Sequence, residues 1–452
     1  MPQQILSIAR NAFVESLRQP IFLLLVLLSG VLQVFNTWNT GYSMSYSETG
    51  EVSGDNKLLL DIGMSTVFVA ATILAAFIAT SVLSREIENK TVLTVVSKPV
   101  ARPLLIIGKY LGVAAAIVVA TITMLIYLLF AIRHEVMSTA ADDLDGPVLL
   151  FSLTATFAAL ALAAWTNYFY GWNFPQTAVS LLLPFCAVAY FLTLCVGKQW
   201  NLQSPATDFK PQITIACFCL TMAILVLTSI ATAASSRLGQ VATIGVCLTV
   251  FVLSLLTNHL IGRHVYHNAF IGIVRQANSL DITRSELARP GDAFVVELQQ
   301  DPTSSVRPGT SIYYGPSPNG SALMVARHEP FSGDPADGGR FVDPSTPFAL
   351  VATQVKGRMI TVRVAGSGAA HSVVRPPREG DYVFTSPTRV AWAALLPWAG
   401  LPNLQHFWLI DAVSQNHAIP FFHAFMIAAY ALCHITVFLS LGVIAFQTRD
   451  VG

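Results

Sequence analysis

Charge is what this sequence has least of. Among 452 residues only 11% are Asp, Glu, Lys or Arg, against about 25% in ordinary soluble chains, while 54% are hydrophobic. That excludes an ordinary soluble protein. The net charge of +1 removes the basic footprint of a nucleic-acid binder. The six cysteines, Cys186, Cys195, Cys217, Cys219, Cys247 and Cys433, lie in apolar runs with no second pair at metal-ligand spacing. They read as small core residues, not as a metal cluster or disulfide framework. No Gly-x-x-x-x-Gly-Lys-Ser/Thr run occurs, so the chain lacks the backbone nest that cradles nucleotide phosphates. Ser304, Ser305, His328, Asp334 and His371 supply the residue types of a catalytic triad, but no nucleophile elbow positions them. No small-residue cleavage site follows the apolar stretch 21–35, which argues against a signal peptide.

What is present is length in apolar runs. A bilayer core of about 30 Å needs about 20 apolar residues in a helix. Such runs fall at 20–35, 62–83, 104–132, 148–166, 177–196, 213–234, 241–261 and 420–446. The expected fold class is therefore an α-helical polytopic membrane protein of about eight transmembrane helices. Ahead of them, residues 1–19 read as an amphipathic helix on the membrane or as a continuation of the first span. Gln4, Ser7, Asn11 and Arg18 form its polar stripe, with Leu6, Ala9, Phe13 and Leu17 opposite. Tyr168, Phe169, Tyr170 and Trp172 suit a turn at headgroup level.

Basic residues in short loops set orientation. Arg10, Arg18, Arg85, Lys90, Lys98, Arg102, Lys109, Arg237 and Arg449 share one side if the N-terminus is cytoplasmic. Glu135, Asp142, Asp143 and Asp145 are then outside, and the C-terminus returns to the cytoplasm. The transmembrane domain covers 20–262. From 263 to 389 the chain turns proline-rich, with strand-like runs at 293–298, 311–314, 322–326, 348–355, 359–364 and 382–385 between turns at 290–292, 318–320 and 379–381. This reads as an inserted extracytoplasmic all-β domain, sandwich or barrel. Residues 390–418 carry Trp392, Trp398, Phe407 and Trp408, broken by Pro397 and Pro402. They read as short interfacial or re-entrant outer helices, or as an apolar edge of the β domain docked on the membrane. Residues 419–452 hold the last span and tail.

The scarce charge gathers in one place. Residues 84–103 contain Arg85, Glu86, Glu88, Lys90, Thr91, Thr94, Lys98, Pro99 and Arg102, with Lys109 beyond. Polar residues at Thr91, Thr94 and Ser97 around Val92, Leu93, Val95 and Val96 give a period near 3.6, a short amphipathic helix, although the β-branched content also permits a strand. Pro99 ends it.

This loop resembles the cytoplasmic loop between the second and third spans of ABC-2 type transporter permeases. Residues 1–18 resemble that family's connecting helix, 234–241 its second cytoplasmic turn, Leu396, Pro397, Phe407 and Asp411 its outer segment, and Phe446, Arg449 and Asp450 its terminal Phe-x-x-Arg-Asp ending. The family core has six spans, so an extra hairpin within 148–234 and the β domain depart from it.

The resemblance implies a permease subunit of an ABC-2 exporter in the inner (cytoplasmic) membrane, working as a homodimer or with a related permease among membrane lipid. ATP and magnesium belong to a separate ATPase partner, and the chain itself binds no cofactor and is not an enzyme. The residues carried over as the ATPase-coupling loop are Glu86, Glu88, Thr91, Thr94, Pro99, Arg102 and Lys109. The glutamates would contact the ATPase, and Arg102 and Lys109 would anchor the loop at the headgroups. The competing class is a membrane-anchored scaffold or sensor whose β domain binds an outer partner. His259, His264, His267, His406, His417 and His423 could converge on Zn or Cu, but His-x-x-His without a carboxylate or thiol at fixed spacing is weak, and chance surface histidines are the expectation. His434, within the last span, reads as a helix-packing residue.

Overall fold

The structure, a computed structural model, describes residues 2–39, 54–84, 102–136, 144–279, 291–315, 328–343, 345–366, 377–410, 413, 419 and 421–447. The chain forms two compact units, 1–255 with 402–452, and 256–401.

The first unit is helical. After α1 (Pro2–Leu17) come α2 (Pro20–Asn39), α3 (Gly54–Ala79), which runs into a π-helical turn at Thr80–Ser84, and α4 (Arg102–His134). Then follow α5 (Gly146–Tyr170), α6 (Phe174–Cys195), α7 (Pro211–Ser235), α8 (Gln240–Leu260) and, after the second unit, the last span, Phe421–Gln447. Eight of the described helices are long and apolar enough to cross a membrane, at the eight runs expected. This is a multi-pass membrane protein. The central element is α4, which packs on α1, α2, α3, α5, α6, α7 and the last span.

Polarity cannot sort inside from outside when lipid is the solvent; side-chain size does. On α5, Ala155, Ala159 and Ala163 are buried at successive turns while Phe157 is 65% exposed. These alanines let α5 and α6 pack closely. The hairpin between them closes through Gly171, left-handed at φ 66°, and Asn173, whose side chain caps α6 by accepting from Gln176 N. Trp165, Phe169 and Tyr170 form an exposed ring cluster there, centroids 5.5–5.6 Å from the Trp165 ring.

At the opposite end, Asp145 is fully buried. It caps α5 by accepting from Val148 N at 3.2 Å and pairs with Arg133 Nη1 at 2.5 Å, while Arg133 Nε reaches Asp208 at 2.8 Å. One guanidinium thus ties α4 to the start of α5 and to the loop before α7.

The second unit is all-β with short helices: β1 (Tyr266–His267), β2 (Phe270–Ser279), β3 (Ala293–Leu298), β4 (Tyr313–Gly315), α9 (Gly338–Val342), β5 (Ala349–Lys356), β6 (Met359–Ala365), β7 (Tyr382–Phe384), β8 (Arg389–Val390) and α10 (Trp392–Gly400). The last span is therefore α11. Six strands form an antiparallel sheet in the order β4-β7-β2-β3-β6-β5. The residues leading into β4 also pair with β5, by a bridge from Ser311 to Val351 and by Ile312 N donating to Leu350 O at 2.8 Å. The two edges are thereby joined and the sheet closes as a barrel, one of the two forms expected. Ile271, Val274, Phe294, Leu298, Tyr314 and Val362 fill it.

The run expected as one strand at 311–314 divides its pairing between β5 and β7, and the one expected at 322–326 lies outside the described residues. The longest strand, β2, escapes sequence reading. A bulge between Val274 and Gln276 shifts its register against β3, and the buried Ile271 and Val274 stand three apart, so strict alternation is broken.

His328 stacks on Tyr313 with centroids 4.3 Å apart. Burial pulls its pKa below 6.5, against the opposing effect of its backbone carbonyl contacts at Glu329 and Ile312. Depression of a base means that the unfolded chain binds the proton more readily, so stability is complete above about 6.5 and declines as pH falls below it. Hydrogen-exchange protection of β4 and β5 in the full chain, after correction for the intrinsic pH dependence of amide exchange, should therefore fall between neutral and mildly acid pH. The fall should disappear in His328→Gln.

Candidate coupling site

Glu86, Glu88, Thr91, Thr94 and Pro99 lie outside the described residues, as does the side chain of Arg102, whose backbone starts α4. What the structure describes is the pair of roots from which the loop springs. One root is the π-helical turn Thr80–Ser84 ending α3; the other is the first turns of α4.

The last carbonyls of a helix have no partner within it. At this terminus Lys109, from α4, donates to Val82 O at 3.3 Å, and its ammonium lies 3.7 Å from Glu15 Oε2 of α1. A cation at a helix C-terminus also complements the macrodipole. Lys109 is 3% exposed. The sequence reading sends it to the headgroups; the structure places it inside the protein, because a buried ammonium needs acceptors and both α1 and α3 offer one. Thr80 and Ser81 bond back to the carbonyls of Ala76 and Ile78 within the same turn.

α1 reaches this position because α4 presents Gly108 and Gly112. A Cβ at Gly112 would meet Ala9 O, Ala12 Cβ at 2.6 Å and Phe13 N at 2.9 Å; one at Gly108 would meet Ile8 at 2.8–2.9 Å. The two helices thus touch backbone to backbone across a Gly-x-x-x-Gly face. Sequence reading missed this, although the spacing Gly108, Gly112 is its signal. It also turned α1 slightly wrongly. Gln4, Ser7, Asn11 and Arg18 are exposed as expected, but the face against α4 runs through Ile8, Ala9, Ala12 and Ser16, and Leu6 is 71% exposed. Ser16 satisfies itself on Ala12 O at 2.7 Å.

Two further contacts bind ends on this side. Arg18 Nε donates to Gln176 Oε1 at 2.9 Å, and Arg237 Nε, in the turn after α7, donates to Ala445 O of α11 at 2.8 Å. Near the latter, a Cβ at Gly442 would meet Ala233 Cα at 3.0 Å, and Phe446 is fully buried.

Residues 6–166, from α1 through α5, match the family model described as ABC-2 family transporter protein. Over that part, about a third of its length, the chain is similar to ABC-2 family transporter membrane proteins. The Lys109 knot, the Gly108–Gly112 face and both roots of the loop fall inside the matched stretch, while α6 to α11 and the barrel lie beyond it. ABC-2 permeases are typically non-catalytic membrane subunits that pair with ATPase subunits. No curated protein and no solved structure gives a significant match.

Of the remaining candidates, His417 lies outside the described residues and His406 lies within electrostatic reach of His423. Among the described residues no group of three or more His, Cys, Asp or Glu is arranged to hold a metal ion. Cys186, Cys217, Cys219 and Cys247 are buried as core residues, but Cys433 is exposed. His434 is buried in α11 with Nδ1 against Tyr430 O at 3.1 Å, and its Nε2 has no hydrogen-bond partner among the described residues.

Proposed function

We propose that the chain is the permease subunit of an ABC-2 exporter, moving its substrate with energy from ATP hydrolysed, with magnesium, on a separate cytoplasmic ATPase. What supports the reading beyond the family match is the Lys109 knot. A single buried ammonium joins α1, the end of α3 and the start of α4, the three segments that flank the loop at 85–101.

In this mechanism the amphipathic segment Thr91–Ser97 docks on the ATPase, with Glu86 and Glu88 making the electrostatic contact and Pro99 ending the docking element. Arg102 holds the loop's far root. Closure of two ATPase subunits on ATP pushes two such loops, one from each permease of a dimer. Lys109 passes the push to α1 and α3 together, so the helices move as a block. Because α4 contacts seven other helices of its unit, a shift at its first turns reaches most of the transmembrane core.

Both termini lie in the cytoplasm and the barrel outside, in the arrangement that gathers the basic loops on one side. A tagged chain solubilised from its own membrane should carry an ATPase in stoichiometric amount. Its recovery without one would favour a scaffold or sensor built around the barrel.

A further inference from the structure

We propose that His406, acting through Asn403, is a proton-operated latch: neutral, it holds the turn ahead of the last span against that span, and protonated it lets the turn go. The turn is the 3-10 helix Leu404–Phe407, capped by Asn403, whose Oδ1 accepts from Gln405 N at 3.1 Å. With the oxygen arm of the amide committed to the cap, the arm facing His406 Nε2 at 3.1 Å is Nδ2, which can only donate. His406 Nε2 must therefore accept, and an imidazole that accepts is neutral. A proton on Nε2 would set one N–H against another. Asn403 is 1% exposed, so its amide cannot turn to water for relief, whereas His406 is exposed and open to protons from solution. Either the amide rotates and the cap is lost, or the imidazole swings out.

What the latch holds is the seat of α11. Asn403 N donates to Tyr430 Oη at 2.9 Å, and the Tyr430 ring lies edge-on to His406 and tilted against Phe407, with both centroids 5.8 Å away. Leu404 and Phe407 are buried in the helical core. One tyrosine of the last span thus meets the capping residue, the titrating residue and the buried anchor of the turn. α11 also supplies His423, whose charge, when present, adds to the cost of a cation at His406. Partial burial first, and this neighbour second, keep the pKa of His406 below 6.5. α7, which packs against the same turn, carries no Asp, Glu, Lys, Arg or His, and the contact from α8 is a backbone carbonyl, Leu255 O, receiving Gln405 Nε2 at 3.1 Å. Asp411 lies outside the described residues. A base held below its ordinary pKa gives stability that is complete above about 6.5 and declines as the pH falls. Acid therefore loosens the turn and, through Tyr430, the first turns of α11.

The test is amide hydrogen exchange of the segment 403–410 in the full chain in phospholipid vesicles, corrected for the intrinsic pH dependence of exchange. It runs from about pH 7.5 to about pH 5, on either side of the ordinary histidine pKa. Protection in the wild type should fall about tenfold, the worth of one desolvated hydrogen bond. His406→Gln, which has no proton to gain, should hold its protection over the range. Asn403→Asp keeps an oxygen for the cap and gives protonated His406 an acceptor in place of a donor, so its protection should rise as the pH falls. His423→Gln should move the wild-type fall to higher pH. Constant wild-type protection would overturn the proposal, as would the same fall in His406→Gln, which would assign it to another group, or a fall in Asn403→Asp. If Asn403→Asp fails to fold, His406→Gln decides the matter alone.

Discussion

Asp145→Ala is expected to lower the unfolding free energy of the transmembrane unit by about 3–5 kcal/mol, the usual consequence of removing one partner from a buried ion pair. Two losses coincide at this residue. Asp145 has no exposed surface and holds Arg133, so its removal leaves a guanidinium at 13% exposure with Asp208 alone. It is also the N-cap of α5, and loss of a capping side chain by itself costs about 1 kcal/mol. Asp145→Asn separates the two effects, since it keeps the cap and removes the charge. Denaturant titration of the purified chain in micelles should rank wild type above Asp145→Asn and Asp145→Ala lowest. Equal stability of all three would show that the network contributes nothing.

Gly112→Leu is expected to detach α1 from α4. The new side chain would collide with backbone atoms of α1 at Ala9 and Phe13, and backbone cannot rotate away as a side chain can. Overpacking in a close contact costs about 1–3 kcal/mol when neighbours yield, so here separation of the helices is the cheaper response. Arg10 on α1 and Arg18 just beyond its end are exposed, so tryptic cleavage at them should quicken severalfold. Gly108→Ala should be milder, because the nearest atoms there belong to the Ile8 side chain. Identical proteolysis of Gly112→Leu and wild type would mean that the Gly-x-x-x-Gly face does not hold α1. Since Glu15 lies on the same helix, detachment also removes one acceptor of the Lys109 ammonium.

These sites mark how far the sequence could be read. All eight spans were legible because lipid imposes a length and an apolar composition that one chain segment must satisfy alone. The barrel strands β3, β5, β6 and β7 were legible from short β-rich runs between turn residues; Gly291 and Gly380, at φ 93° and 85°, hold two of those turns. β2 was not, because its bulge hides the alternation.

The contacts that organise the candidate coupling site were beyond sequence reading for a different reason. Lys109 looks like any basic residue of a cytoplasmic loop until folding brings it to Glu15 and Val82, and nothing local to it announces those partners. Gly108 and Gly112 carried a local signal that says two helices meet, though not which two. The network of Arg133, Asp145 and Asp208 likewise joins three connections that only the packed bundle brings together.

The account rests most heavily on the loop at 85–101 as the place where an ATPase engages. The direct measurement is recovery of the ATPase with the tagged chain after reversing Glu86 and Glu88 together to lysine, with Lys356→Glu, on a barrel strand, as the control for altered charge. The account predicts that the double reversal abolishes recovery and ATP-dependent stimulation while the chain remains folded and inserted, and that Lys356→Glu leaves both intact. Undiminished recovery and stimulation in the double reversal would contradict it.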